Sequence, residues 1–113
     1  MATGRLGFVT GGLAQTTLTS VYPVPAGYYS VVNVSVTNTS ATPCTIRIAL
    51  STAVSAGSIN AGEYIEWNTV VVGNGVFERT GLVLNAGINV WVYTSGAAGT
   101  TNVTVYGIET STS

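Results

Sequence analysis

Hydrophobic residues in this chain recur at every second position, and that period restricts what it can fold into. Val32, Val34 and Val36 alternate with Val31, Asn33, Ser35 and Thr37. Ile46, Ile48 and Leu50 alternate with Thr45, Arg47 and Ala49, and Ile65, Trp67 and Thr69 with Tyr64, Glu66 and Asn68. Val90 and Val92 alternate with Trp91 and Tyr93, as Val103 and Val105 do with Thr104 and Tyr106. Strands put successive side chains on opposite faces, so each run predicts a strand with one face on a core and the other toward solvent or a partner. The wealth of Val, Thr, Ile and Tyr agrees.

Turn signals separate these runs: Pro25-Ala26-Gly27, Thr39-Ser40-Ala41, Ala61-Gly62, Gly73-Asn74-Gly75, Asn85-Ala86-Gly87 and Gly96-Ala97-Ala98-Gly99. The spacing is close to that of a sandwich or barrel. Strands are expected at 5–9, 16–22, 28–37, 44–51, 63–71, 76–84, 88–94 and 102–109, with room for one short turn between Ser51 and Ile59. The natural solution is an all-β, single-domain antiparallel β-sandwich of jelly-roll type with about eight strands. Residues 1–12 read as an N-terminal arm or edge strand, and 13–113 as the sandwich domain. Asn74-Gly75 suits the positive φ angles of a tight hairpin turn.

Charge limits the chemistry. The 113 residues include no His, Lys or Asp; charge rests on Arg5, Arg47, Arg79, Glu63, Glu66, Glu78 and Glu109, 6% of the chain with net charge −1. Most of the usual acid-base and nucleophilic groups are therefore missing, and the expectation is a protein that is not an enzyme. Glu63 and Glu66 stand three apart on one predicted strand and point to opposite faces, so they cannot flank one substrate. Glu66 and Glu78 could meet across a hairpin with Arg79 turned away; the plainer reading is solvated glutamates or a surface Glu–Arg pair.

Other classes are disfavoured on similar grounds. Three arginines do not make the basic footprint of a nucleic-acid binder. No set of residues matches a metal-ligand pattern, and no cofactor is expected. Mean hydropathy is +0.45, yet no apolar run approaches the ~20 residues of a membrane-spanning helix, so no membrane partner is expected. The first residues lack a signal-peptide pattern, which predicts synthesis in a cytoplasm. Cys44, the single cysteine, reads as a buried small hydrophobe. Three matches to the glycosylation sequon, at Asn33, Asn38 and Asn102, carry no weight in a sequence so rich in Asn, Ser and Thr.

The aromatic residues are the candidates for function. Tyr29, Trp91, Tyr93 and Tyr106 fall out of phase with the valine-lined faces, and Tyr29, Trp91 and Tyr106 are expected to project outward. Tyr and Trp bury large areas while keeping a polar tip, which suits a protein interface or a sugar-stacking face. No strand carries the lysine that commonly blunts a sheet edge, and low charge removes protection against association. Capped edges within an oligomer would resolve both. The Gly-rich start and the Thr/Ser-rich end read as arms toward neighbours.

Several segments resemble a known class. They are Gly4-Arg5-Leu6-Gly7 with Thr19-Ser20-Val21-Tyr22-Pro23-Val24-Pro25-Ala26-Gly27; Tyr64-Ile65-Glu66-Trp67; Asn74-Gly75-Val76-Phe77-Glu78-Arg79-Thr80-Gly81-Leu82-Val83-Leu84-Asn85-Ala86-Gly87; and Tyr106-Gly107-Ile108-Glu109. Together they resemble small virion structural proteins of tailed bacteriophages, notably those infecting marine bacteria and cyanobacteria. The resemblance implies a homo-oligomer, a trimer being favoured, made in the host cytoplasm and working in the virion against partners such as the major capsid protein. A capsid decoration or cement protein is the first expectation. A tail, baseplate or fibre-associated protein is the alternative within the class, and a carbohydrate-binding module the alternative outside it. The class has no catalytic residues to carry over.

Overall fold

The computed structural model describes residues 3–112. Eight strands make up the described fold: β1 (Thr3–Phe8), β2 (Thr19–Pro23), β3 (Tyr28–Asn38), β4 (Cys44–Ser51), β5 (Tyr64–Val71), β6 (Val76–Leu84), β7 (Asn89–Thr94) and β8 (Thr101–Ser111). They form two four-stranded sheets, ordered β1-β8-β3-β6 and β2-β7-β4-β5. Every pairing is antiparallel. Four of the pairs, β1 with β8, β2 with β7, β3 with β6 and β4 with β5, are what results when one long antiparallel hairpin is rolled up. This is the jelly-roll order, and the predicted sandwich is the observed one.

Alternation places the core. Val32, Val34 and Val36 of β3, Ile46 and Ile48 of β4, Val90 and Val92 of β7, and Val103 and Val105 of β8 are all buried between the sheets. Leu13, from the β1–β2 connection, closes one end of this core with no exposed surface. Two single 3₁₀ turns, Ala56–Ser58 and Ala61–Glu63, lie in the β4–β5 connection, where the sequence leaves room for one. Asn60 and Glu63 cap the second turn reciprocally.

Three sequence expectations are corrected by the topology. First, Asn74-Gly75 does not join a hairpin. β5 pairs with β4, and β6 pairs with β3 in the opposite sheet, so residues 72–75 form a crossover. Asn74 takes a positive φ of 57°, Gly75 N–H donates to Val72 C=O at 3.0 Å, and Asn74 N–H ties the turn to Ser40 C=O at 2.8 Å. The buried Asn38 amide nitrogen donates to the carbonyls of Thr42, Val71 and Val72. That sequon asparagine is thus spent on holding two connections together.

Second, the sheet edges are guarded without lysine. Each of the four edge strands carries an extra residue that breaks its register: β1 between Arg5 and Gly7, β2 between Ser20 and Tyr22, β6 opposite Asn33, and β5 twice. The two central pairings, β3 with β8 and β4 with β7, run without a register shift. Bulges twist an edge away from further pairing. The argument for oligomerisation from bare edges therefore falls, and any case for association rests on the outer faces of the sheets.

Third, the C-terminal end is a strand and not an arm, while the N-terminal residues take the edge-strand alternative. Residues Thr3–Phe8 form the edge strand β1, and Thr3 pairs with Ile108. The expected C-terminal arm is instead the end of β8, where Glu109, Thr110 and Ser111 pair with Ser30, Tyr29 and Tyr28. Met1, Ala2 and Ser113 fall outside the described residues.

Candidate interaction surface

The four aromatic candidates lie on opposite sides of the sandwich. Tyr29 and Tyr106 belong to β3 and β8, on the outer face of the first sheet. Tyr29 is exposed, and half-buried Tyr106 donates its hydroxyl to Glu78 Oε2 at 2.6 Å. That hydrogen bond is the main cause holding the Tyr106 hydroxyl pKa above the ordinary tyrosine value. Trp91 and Tyr93 lie on β7, on the outer face of the second sheet.

The expectation that Trp91 projects into solvent is corrected. It has the outward phase, between inward-facing Val90 and Val92, yet keeps only 6% of its surface exposed. Its cross-strand neighbours are the small residues Ser20 and Ala49, which leave space above the sheet for an indole. Asn89, two residues away on the same face, donates to Ala53 C=O at 3.2 Å and fixes the start of the β4–β5 connection there. The Trp91 indole N–H is buried with no hydrogen-bond partner among the described residues.

Tyr93 belongs to a built cluster. The Arg47 guanidinium carbon lies 3.9 Å from the Trp67 ring centroid and 4.5 Å from that of Tyr93. Arg47 Nε donates to Asn68 Oδ1 at 2.8 Å, which fixes the plane of the fork. Tyr64 meets Trp67 edge-on, with centroids 4.8 Å apart and planes at 83°. Trp67 remains 57% exposed, while Arg47, Tyr64 and Tyr93 are half-buried. Each cation–π contact contributes roughly 0.5–1 kcal/mol at such a site, and together they hold the side chains in one arrangement.

Simple alternation misses this cluster because it misplaces Trp67. Counting by twos puts Ile65, Trp67 and Thr69 on one face. In the structure Ile46 pairs with Thr69, Ile48 with Glu66, and Ala49 with Tyr64. Trp67 and Asn68 therefore share the place opposite Arg47, and Asn68 absorbs the irregularity with a φ of 51°. A second extra residue between Tyr64 and Glu66 keeps Ile65 packed on the core while Glu66 also turns toward the first sheet. The available sequence signal is Trp67-Asn68: Asn tolerates positive φ, and such a residue inside a strand marks a bulge.

The carboxylates are dispersed. Glu66 forms an ion pair with Arg79 and accepts from Thr69 Oγ1 at 2.7 Å. Glu78 lies on the opposite side of its strand from Arg79, beside Tyr106. Glu63 accepts from Ser51 Oγ at 2.8 Å, and Glu109 from the buried Tyr22 hydroxyl at 2.6 Å. The meeting of Glu66 and Glu78 that a hairpin would allow is thus overturned by the crossover. Among the described residues, no three His, Cys, Asp or Glu side chains gather into a metal-binding group.

Two other surface features complete the picture. Ile108, Val31 and Val83 align across β8, β3 and β6 as an apolar row on the first sheet, with Ile108 and Val83 exposed. At the loop end, a recess of about 250 Å³ is lined by Gln15, Ser40, Thr42, Ser95 and Thr100 beside Pro43. Its hydroxyl and amide groups offer hydrogen bonds but no charge. In comparison with known proteins, no family model, no curated protein and no solved structure matches this sequence.

Proposed function

We propose that this protein is a non-enzymatic structural component of a tailed-phage virion, a capsid decoration or cement protein that stabilises the shell by burying complementary surface. The observation that carries the reading is the Arg47–Trp67–Tyr93 cluster. Arg, Trp and Tyr are the residues that most often dominate protein interfaces, and here all three are pre-positioned on one sheet face. A small homo-oligomer, trimeric by expectation, would present this face several times and add avidity. A jelly roll is also a fold used by viral capsid proteins, an analogy at the level of fold alone.

A carbohydrate-binding role draws less support. Trp91 is buried, and Arg47 already lies over a face of both Trp67 and Tyr93. A tail or baseplate position would use the same surface, and the site of labelling on the particle separates it from the shell. The test is mass spectrometry of purified virions of the encoding phage, followed by electron microscopy of the labelled protein. The protein is expected among the virion components, with label distributed over the shell. Its absence from virions overturns the proposal. Light scattering of the purified protein then gives the number of subunits.

A further inference from the structure

Arg47 differs from the other arginines in what surrounds it. Arg79 is matched by Glu66. Arg5 lies 3.9 Å over the ring of exposed Phe8, on an open edge strand. Arg47 is half-buried, flanked by two rings and anchored through Nε alone. Among the described residues it has no carboxylate partner, so its terminal nitrogens keep donors that nothing described in the protein accepts. A guanidinium matches a carboxylate with two parallel hydrogen bonds. Fixing the fork beforehand lowers the entropy lost when those bonds form.

We propose that the Arg47 fork, framed by Trp67 and Tyr93, is a binding site for a carboxylate on a partner protein. The occupant is an Asp or Glu side chain, or the terminal carboxylate of the partner, carried on a segment that covers the two rings. Charge complementarity sets this choice: the face presents a cation without a local acid, and the rings on either side supply apolar surface for the flanking residues. The inference rests on the reading of this face as a docking surface and names what the partner must bring to it.

The probes are short peptides of six residues, one of alternating Glu and Ala, one of alternating Gln and Ala, with trigalacturonate as the acidic sugar. Binding is read from the Arg47 Nε–H and Trp67 indole signals by NMR of the intact protein. The Glu peptide is expected to shift both signals, and the Gln peptide neither. Arg47→Lys should weaken the Glu peptide about tenfold, since a point charge replaces a fork, while Arg5→Gln should leave its affinity unchanged. Equal shifts with the Glu and Gln peptides, or no shift with either, overturn the proposal. Binding of trigalacturonate alone overturns it in favour of an acidic glycan. Unchanged amide spectra away from the site show that each variant is folded. If the peptides fail while Trp67→Ala still abolishes docking to virions, the docking surface stands and only the carboxylate site falls. If the peptides bind and the protein does not dock, the virion reading is the one that fails.

Discussion

Arg79 reaches from β6 to Glu66 on β5, so one ion pair links the two sheets across the open side of the sandwich. Arg79 also donates to Ile65 C=O, and Glu66 accepts from Thr69. The Arg79 side chain is 41% exposed and that of Glu66 16%, so solvent screens the pair. Its contribution is at most about 1 kcal/mol. Glu66→Gln should therefore lower stability in urea by about that amount and leave every binding activity intact. A loss above about 3 kcal/mol would show that the pair is desolvated and holds this side of the sandwich closed.

The Tyr22 hydroxyl sits between Ser30 Oγ and Glu109 Oε2, each at 2.6 Å. Burial, reinforced by the Glu109 hydrogen bond, pushes its pKa from 10.0 to about 12. The folded state then holds the proton where the unfolded polypeptide releases it. Stability from this group is complete below pH 10 and falls as pH rises toward 12. Tyr22→Phe should cost about 1–3 kcal/mol at neutral pH, because Ser30 and Glu109 lose a partner, and should flatten the alkaline limb. An unchanged alkaline limb in the variant would assign the loss to other groups. Unfolding midpoints across that range decide the matter.

Trp67 and Trp91 share a sheet face but should respond in opposite ways to truncation. Trp91→Ala removes a ring that is 6% exposed and should cost about 3–5 kcal/mol of stability. Trp91→Phe should cost much less, since it also removes the unpartnered indole N–H. Trp67→Ala should change stability by about 1 kcal/mol, chiefly the lost cation–π contact. Thermal unfolding of the three variants ranks them, and a Trp67 loss matching that of Trp91→Ala would place Trp67 in the core.

The 72–75 crossover has no room for a side chain at its second residue. A Cβ on Gly73 would lie 2.0 Å from Ala41 C=O, a contact that only backbone movement relieves. Gly73→Ala should destabilise by about 1–3 kcal/mol, and Asn74→Gly by far less, since glycine also accepts positive φ. A neutral Gly73→Ala in urea unfolding would mean that the Ala41 and Gly73 segments move apart freely.

The strand runs and the core were legible because period two is a local signal: Val32, Ile46, Val90 and Val105 are buried as their alternation requires. Sheet membership was not, because a turn such as Gly73-Asn74-Gly75 reads alike whether it joins paired strands or crosses between sheets. Only the pairing of β6 with β3 resolves it. The site was half legible for the same reason. Tyr93 lies on the outer face of the second sheet as its phase suggests, but bulges near Asn68 bring Trp67 to Arg47 against the count by twos. Trp91 has the right phase and the wrong exposure, because what covers a strand comes from segments remote in sequence.

The most direct test of the docking face is titration of virions lacking the protein with purified wild type and with Trp67→Ala, read by co-sedimentation. The wild type should bind to saturation, and the folded variant should lose at least about 2 kcal/mol of affinity, roughly thirtyfold. Equal binding by the two proteins, or no binding by the wild type, would contradict the account.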